Sequence, residues 1–224
     1  MNIVCVVGAG FMGAQIGLNC ASYGYIVWIV DPSDEAREKA LQSHIQALDA
    51  RVQEQQISSQ DKQDILSRIH LTENLKEGAS VADLVIEAIP ERLDLKREVF
   101  RQLDHVCPSH TILATNSSSI RISQIEDVTE RLDKVINTHF FRPRQNSIVE
   151  LMRGTETSDE TVESVRQFAV AVGVIPLLVQ KESTGFIFNR VWRAIKKETL
   201  HLVDEGVASH EDVDRAWMSL MGNT

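Results

Sequence analysis

Through residue 179 the chain alternates short β-branched apolar runs with stripes of helical period, and beyond that only helical stripes continue. Ile3-Val4-Cys5-Val6-Val7 is wholly apolar and breaks at Gly8, the pattern of a strand buried on both faces. Residues 14–21 carry Ile16, Cys20 and Ala21 on one helical face. Ile26-Val27-Trp28-Ile29-Val30 is a second buried run and ends at Asp31. Residues 34–52 predict a helix with Leu41, Ile45, Leu48 and Val52 as its stripe. Ser58 or Ser59 caps a second helix carrying Ile65, Leu66 and Ile69, and a short third strand follows near 69–72. One crossover helix would suffice between those strands, so the helical hairpin is an addition, either a structural insertion or a wall of a substrate site.

Residues 81–89 predict a fourth strand closed by Pro90-Glu91, and 93–106 a helix carrying Leu95, Val99 and Leu103. A fifth strand over 111–114 leads into the polar turn Thr115-Asn116-Ser117-Ser118-Ser119. The sixth strand, 135–141, contains His139; a turn at 142–146 leads to the seventh, 147–152, with Glu150. Thr157-x-x-Glu160 predicts a capping box for a helix ending at Gly173. Pro176 puts the last strand, 174–179, at an edge. After the polar joint Lys181-Glu182-Ser183-Thr184-Gly185, one helix runs from about 186 to 205 and stops at Gly206, and Ser209 caps another.

Strands alternating with helices predict an α/β fold, a Rossmann-type doubly wound and mostly parallel sheet with a helical hairpin insertion, followed by the start of an all-α C-terminal domain. A boundary near Thr184 gives a dinucleotide-binding domain over 1–184 and opening helices of a helical domain over 185–224. Some forty residues are too few for an independent core, so those helices must pack on the first domain or on another chain.

Composition narrows the partners. A formal charge of −9 over 224 residues argues against nucleic acid or an anionic membrane. Cys5, Cys20 and Cys107 are scattered and odd in number, which reads as reduced core thiols rather than a disulfide framework or metal site. A first strand at residue 3 leaves no room for a signal peptide, and no apolar run is long enough to span a bilayer. The expectation is a cytoplasmic protein acting on a small molecule, with no metal.

The first turn carries the chemistry. Gly8-Ala9-Gly10-Phe11-Met12-Gly13 joins the first strand to the first helix. Gly8 allows the tight turn, Gly10 admits a pyrophosphate close to the backbone, and Gly13 lets helix lie on strand. The helix N-terminus offers N–H groups and a positive dipole end. Phe11 and Met12 belong to the same cofactor-binding loop. Asp31 can accept from a ribose 2′-hydroxyl, and Pro32-Ser33-Asp34-Glu35 bring no adjacent Arg for a 2′-phosphate, so NAD is expected rather than NADP. Loops at the carboxyl ends of parallel strands hold the ligand, which adds Glu91, Lys96, Asn116 and Ser118. Hydride transfer from an alcohol needs an acceptor for the hydroxyl proton. His139 suits that role near neutral pH, with Glu150 to orient the ring and stabilise imidazolium.

Taken together these motifs resemble the 3-hydroxyacyl-CoA dehydrogenase family over nearly the whole chain. The resemblance rests on Gly8-Ala-Gly-Phe-Met-Gly13, Asp83-Leu-Val-Ile-Glu-Ala-Ile-Pro-Glu91 with Lys96, Thr115-Asn-Ser-Ser-Ser119, His139-Phe-Phe-Arg-Pro143, Glu150 and Gly185-Phe-Ile-Phe-Asn-Arg190. It implies His139 as catalytic base paired with Glu150, and Ser118 and Asn189 as hydrogen-bond donors near the substrate oxygen. It implies NAD contacts at Asp31, Glu91 and Lys96, a CoA contact on the helical hairpin, and a helical second domain that forms a homodimer and covers the cleft. Fatty acid metabolism would follow. Arg142 stands where the family has a cofactor-contacting Asn, and Thr184 where it has Pro. A guanidinium three residues after the base would favour a substrate with a free acid group. The alternatives are therefore a dehydrogenase of a small polar 3-hydroxy acid, of gulonate or carnitine type, and a non-catalytic NAD-binding protein.

Overall fold

Val4 and Val6 face one side of the central sheet, Cys5 and Val7 the other, and each pair belongs to a separate apolar core. This strand, β1 (Ile3–Val7), is buried on both faces because helices cover both. The computed structural model describes residues 1–141 and 147–221, so Arg142 and the argument built on it lie outside the described residues. The chain divides into two compact units, Met1–Thr184 and Gly185–Thr224.

In the first unit β1 leads through α1 (Phe11–Ser22) to β2 (Ile26–Val30). The hairpin of α2 (Asp34–Gln53) and α3 (Ser59–Ser67) precedes β3 (Ile69–Thr72). Then come α4 (Leu75–Ala79), β4 (Leu84–Glu87), α5 (Leu93–Val106) and β5 (Ile112–Thr115). The unit closes with β6 (Val135–Phe140), β7 (Ile148–Arg153), α6 (Asp159–Ala171) and β8 (Ile175–Val179). The strand order is β3-β2-β1-β4-β5-β6-β7-β8. Among the described strands only β6 and β7 pair antiparallel; the other neighbours are parallel. Order reverses between β1 and β4, which opens a crevice at their carboxyl ends. Pro176 sits in the edge strand β8, where its missing N–H removes no ladder bond from a neighbour. The second unit consists of α7 (Phe188–Asp204) and α8 (His210–Met221), with Trp192 and Trp217 in contact between them.

Several local expectations shift. The short helix α4 was not legible, because five residues show no period; Asn74 caps it by accepting from Lys76 N at 3.0 Å. The fourth strand is correspondingly shorter. The buried face of α2 is Ala40, His44 and Leu48, while Leu41 is 40% exposed. That phase is set by α1, where the Ala14 carbonyl lies 2.8 Å from His44 Nε2. Burial pushes the His44 pKa down, so a neutral ring donates Nε2–H to that carbonyl. In α5 the buried residues are Lys96, Phe100 and Leu103, with Leu95 and Val99 only half-buried. The cap of α6 is Ser158, whose Oγ accepts from Thr161 N at 3.1 Å. Thr157 instead donates to the Val135 carbonyl at 2.6 Å and accepts from Gly154 N.

The turn after β1 requires glycine at two positions. Gly8 has φ +111°, and a Cβ there would lie 2.7 Å from the Ala88 carbonyl oxygen. A Cβ on Gly13 would lie 1.8 Å from the Gly8 oxygen, so any side chain pushes α1 off the turn. Around Gly10 nothing lies within 4 Å of such an atom. Gly13→Ala is expected to destabilise the protein by about 3 kcal/mol, because the backbone clash outweighs the helix propensity that alanine brings. Gly10→Ala should leave stability within about 0.5 kcal/mol of the unmodified chain. Urea unfolding of both variants checks this, and equal midpoints would refute it.

Candidate active site

The carboxyl edge of the sheet gathers most of the residues that carry chemistry. At its centre the Gly8 amide donates to the Val30 carbonyl at 2.7 Å, which pins the glycine turn to the end of β2. Asp31 then reaches back: its Oδ2 accepts from Ala9 N at 2.8 Å and its Oδ1 from Ser33 N at 2.9 Å. The carboxylate is therefore oriented by amides from the loops after β1 and after β2. Gly10 caps α1 without a side chain, and the first turn holds no acidic residue. Phe11 is 61% exposed and Met12 half-buried beside it. Open space at Gly10, an acid-free helix N-terminus and a fixed carboxylate at the end of β2 fit a dinucleotide, with Gly8, Gly10 and Gly13 shaping the loop and Asp31 at the ribose.

Across the crevice, Glu91 and Lys96, both singled out from the sequence, are drawn into a cluster by Glu87, which was not. Glu87 ends β4 and is fully buried. Its Oε1 accepts from Lys96 Nζ at 2.6 Å and from Ile89 N at 2.8 Å, and its Oε2 from Thr115 Oγ1 at 2.7 Å. Lys96, 1% exposed, also reaches Glu91 Oε2 at 3.3 Å. Glu91 uses its other oxygen as a clamp. Its Oε1 accepts from the Ser117 hydroxyl, from Ser119 N at 2.9 Å, from Ser119 Oγ at 2.7 Å and from Ile120 N. Partial burial opposes ionisation of Glu91, but the hydrogen bonds from Ser117 and Ser119 and the Lys96 charge outweigh it and hold the carboxyl at about 2. The turn bearing Ser118, which is itself exposed, is thus fastened on both sides of that residue. The signal for Glu87 was present in the chain: a carboxylate closing an otherwise apolar strand.

His139 and Glu150 are register partners in the antiparallel pair β6·β7. Direct cross-strand partners share a face, and His139 Nδ1 lies 2.9 Å from Glu150 Oε2. Glu150 is fully buried and the His139 side chain 8% exposed. The Phe141 ring packs at 4.3 Å between centroids on the imidazole. Asn116 ties this pair to the neighbouring loop. Its backbone N–H donates to the Glu87 carbonyl at 2.7 Å, and its side-chain Oδ1 accepts from Phe140 N at 2.8 Å. Asn189 belongs to the second unit, in the first turn of α7, and is half-buried there.

Arg37 was also missed. It lies one helical turn into α2, and its guanidinium folds back to donate to the Asp31 carbonyl oxygen and to pair with Asp34. Among the described residues no group of three His, Cys, Asp or Glu is placed to hold a metal ion. The three cysteines are buried and unpaired in disulfides; burial pushes the thiols of Cys20 and Cys107 up to about 12. No described helix is long and apolar enough to cross a membrane.

Residues 3–183 match the family model of the 3-hydroxyacyl-CoA dehydrogenase NAD-binding domain, and residues 185–223 that of the 3-hydroxyacyl-CoA dehydrogenase C-terminal domain. A Bacillus subtilis (strain 168) protein named "Probable 3-hydroxybutyryl-CoA dehydrogenase" is 37% identical over 212 residues, 94% of this chain and 73% of the relative. The 3-hydroxybutyryl-CoA dehydrogenase of Clostridioides difficile is 36% identical over 214 residues, 95% of this chain and 75% of that protein. The crystal structure of (S)-3-hydroxybutyryl-CoA dehydrogenase from Ralstonia eutropha superposes with a TM-score of 0.93 at 36% identity, covering 100% of this chain and 78% of that one. With its glycine loop, its fixed Asp31 and its His139–Glu150 pair on one sheet edge, the chain belongs to the NAD-dependent 3-hydroxyacyl-CoA dehydrogenase family.

Proposed function

We propose that the protein oxidises the 3-hydroxyl of a 3-hydroxyacyl-CoA to the 3-keto form, with His139 as general base and Glu150 as its partner. The observation that carries this reading is the buried 2.9 Å contact between His139 Nδ1 and Glu150 Oε2 at the carboxyl edge of the sheet. A carboxylate on Nδ1 favours the tautomer with the proton on that nitrogen, which makes Nε2 the basic one. Nε2 takes the hydroxyl proton, and Glu150 balances the imidazolium that results. NAD, when bound, supplies the hydride acceptor. Gly8, Gly10, Phe11, Met12 and Gly13 hold the pyrophosphate end, and Asp31 accepts from the ribose.

Ser118 and Asn189 donate to the substrate oxygen, the roles that the family resemblance gives them. Glu91, Lys96 and Asn116 border the cofactor. Their contacts give them a positioning task, since Glu87 and Lys96 keep Glu91 where it gathers the Ser117–Ile120 turn. The α2–α3 hairpin serves as the wall that meets CoA. Residues 1–184 act as the NAD-binding domain, and 185–224 as opening helices of a domain through which two copies dimerise. Exposed Val191, Leu200 and Val203 on α7 support such a contact. Buried reduced thiols suit a cytoplasmic protein, and a place in fatty acid metabolism follows from the substrate class.

Absorbance at the NADH band tests the reading. 3-Hydroxybutyryl-CoA should be oxidised, whereas free 3-hydroxybutyrate, gulonate and carnitine should not; the reverse order would make the protein a hydroxy-acid dehydrogenase. His139→Ala should lower kcat about 10²–10⁴-fold with NADH binding retained. Glu150→Gln should slow turnover as well, through the lost counter-charge, and near-normal rates in the histidine variant would sink the mechanism.

Lys96→Met leaves Glu87 buried without its cation and should cost about 3–5 kcal/mol in urea unfolding. Combining it with Glu87→Gln should recover a good part of that loss; strict additivity would contradict the pairing. The Glu91 carboxyl sits below the ordinary value of 4.5, at about 2. Its contribution to stability is therefore complete above the ordinary range and is lost as pH falls toward the folded value. Glu91→Gln should flatten that acid limb in pH-dependent unfolding.

A further inference from the structure

We propose that Arg37 is a specificity-determining residue for the cofactor, a guanidinium beside the ribose-binding carboxylate that Asp31 and Asp34 keep from taking a 2′-phosphate. The local chain explains how it arrives there. Ser33 N donates to Asp31 Oδ1 at 2.9 Å, and Ser33 Oγ accepts from Ala36 N at 3.2 Å as the cap of α2. The turn from β2 into α2 is thereby held, and the first helical turn brings Arg37 back over Asp31. One guanidinium nitrogen donates to the Asp31 carbonyl oxygen and the other pairs with Asp34. The Arg37 side chain is only 14% exposed, so it is folded onto the protein rather than extended into water.

This places a fixed cation next to the group that reads the ribose. An Arg in that neighbourhood is what accommodates a 2′-phosphate in an NADP site. Here three carboxylates stand within the same turn: Asp31, Asp34 and Glu35. Glu35 is taken up by Lys39 at 2.6 Å and the Asp31 carboxylate by the Ala9 and Ser33 amides, which leaves Asp34 to pair with Arg37. Asp31 occupies the position a phosphate would need, and Asp34 neutralises the charge that would attract it. Cofactor choice then depends on the Asp31 carboxylate at the ribose together with Asp34 on the guanidinium, rather than on Asp31 acting alone. Asp31→Ser by itself leaves Arg37 paired with Asp34, so it should narrow the preference for NADH without inverting it.

The test is fluorescence titration of the full chain with NADH and with NADPH. The unmodified protein should bind NADH more tightly. Asp31→Ser with Asp34→Ser should move the NADPH-to-NADH affinity ratio by about 10–100-fold toward NADPH, the worth of a charge-assisted hydrogen bond. Adding Arg37→Ala should abolish that gain. Asp34 is 84% exposed, so Asp34→Ser alone puts the fold at little risk; it should strengthen NADPH binding several-fold, and Asp34→Ser with Arg37→Ala should not. A gain that survives removal of Arg37, or no gain in either background while NADH still binds, overturns the proposal. Absence of NADH binding in the unmodified chain would overturn the cofactor site itself, and this proposal with it.

Discussion

A carboxylate and an ammonium share a fully buried site where β4 gives way to α5, and the far side of the crevice depends on them. Removing Glu87 and Lys96 from solvent is costly, and a buried ion pair adds little net stability against well-packed apolar groups. What it supplies is position. Glu87 takes donors from three segments, Lys96 on α5, Ile89 in the loop and Thr115 on β5. Lys96 then carries its charge on to Glu91, which collects the Ser117–Ile120 turn. Two loops at neighbouring strand ends become one piece, and the exposed Ser118 is held out from it.

The opposite side of the crevice is set by backbone sterics rather than charge. Gly8 at positive φ lies against Ala88, and Gly13 lies against Gly8, so the β1–α1 turn has one arrangement. Ala88 sits beside Glu87. The glycine turn and the ion-pair cluster therefore meet across the strand pair β1·β4, which forms the topological switch point. Asp31, anchored by amides from both loops that flank it, completes a rigid frame before any ligand arrives. Such preorganisation lowers the ordering cost of binding.

The proposed base depends on a different device. An antiparallel pair at one end of an otherwise parallel sheet turns β7 back along β6, which brings Glu150 opposite His139. A further parallel strand would have reached the same edge only after a crossover helix. The reversal places a carboxylate directly opposite the ring, and Asn116 links that ring's strand to the Glu87 cluster.

Apart from the short helix α4, the order of strands and helices was legible in the chain, as were the glycine turn, Asp31 at a strand end, the edge position of Pro176 and the presence of His139 and Glu150 on one strand pair, because each depends on neighbours within a few residues. Period and turn chemistry are local properties. The Glu87–Lys96–Glu91 cluster, the return of Arg37 onto Asp31 and the buried face of α2 were decided only by the tertiary structure. A helical period gives a stripe's spacing but not which residue of it meets the core, and for α2 the Ala14 carbonyl selected His44 over Leu41. A buried charge is likewise chosen by what lies across space from it. Nothing in residues 93–106 says that Lys96 rather than Leu95 turns inward until β4 supplies a carboxylate to receive it.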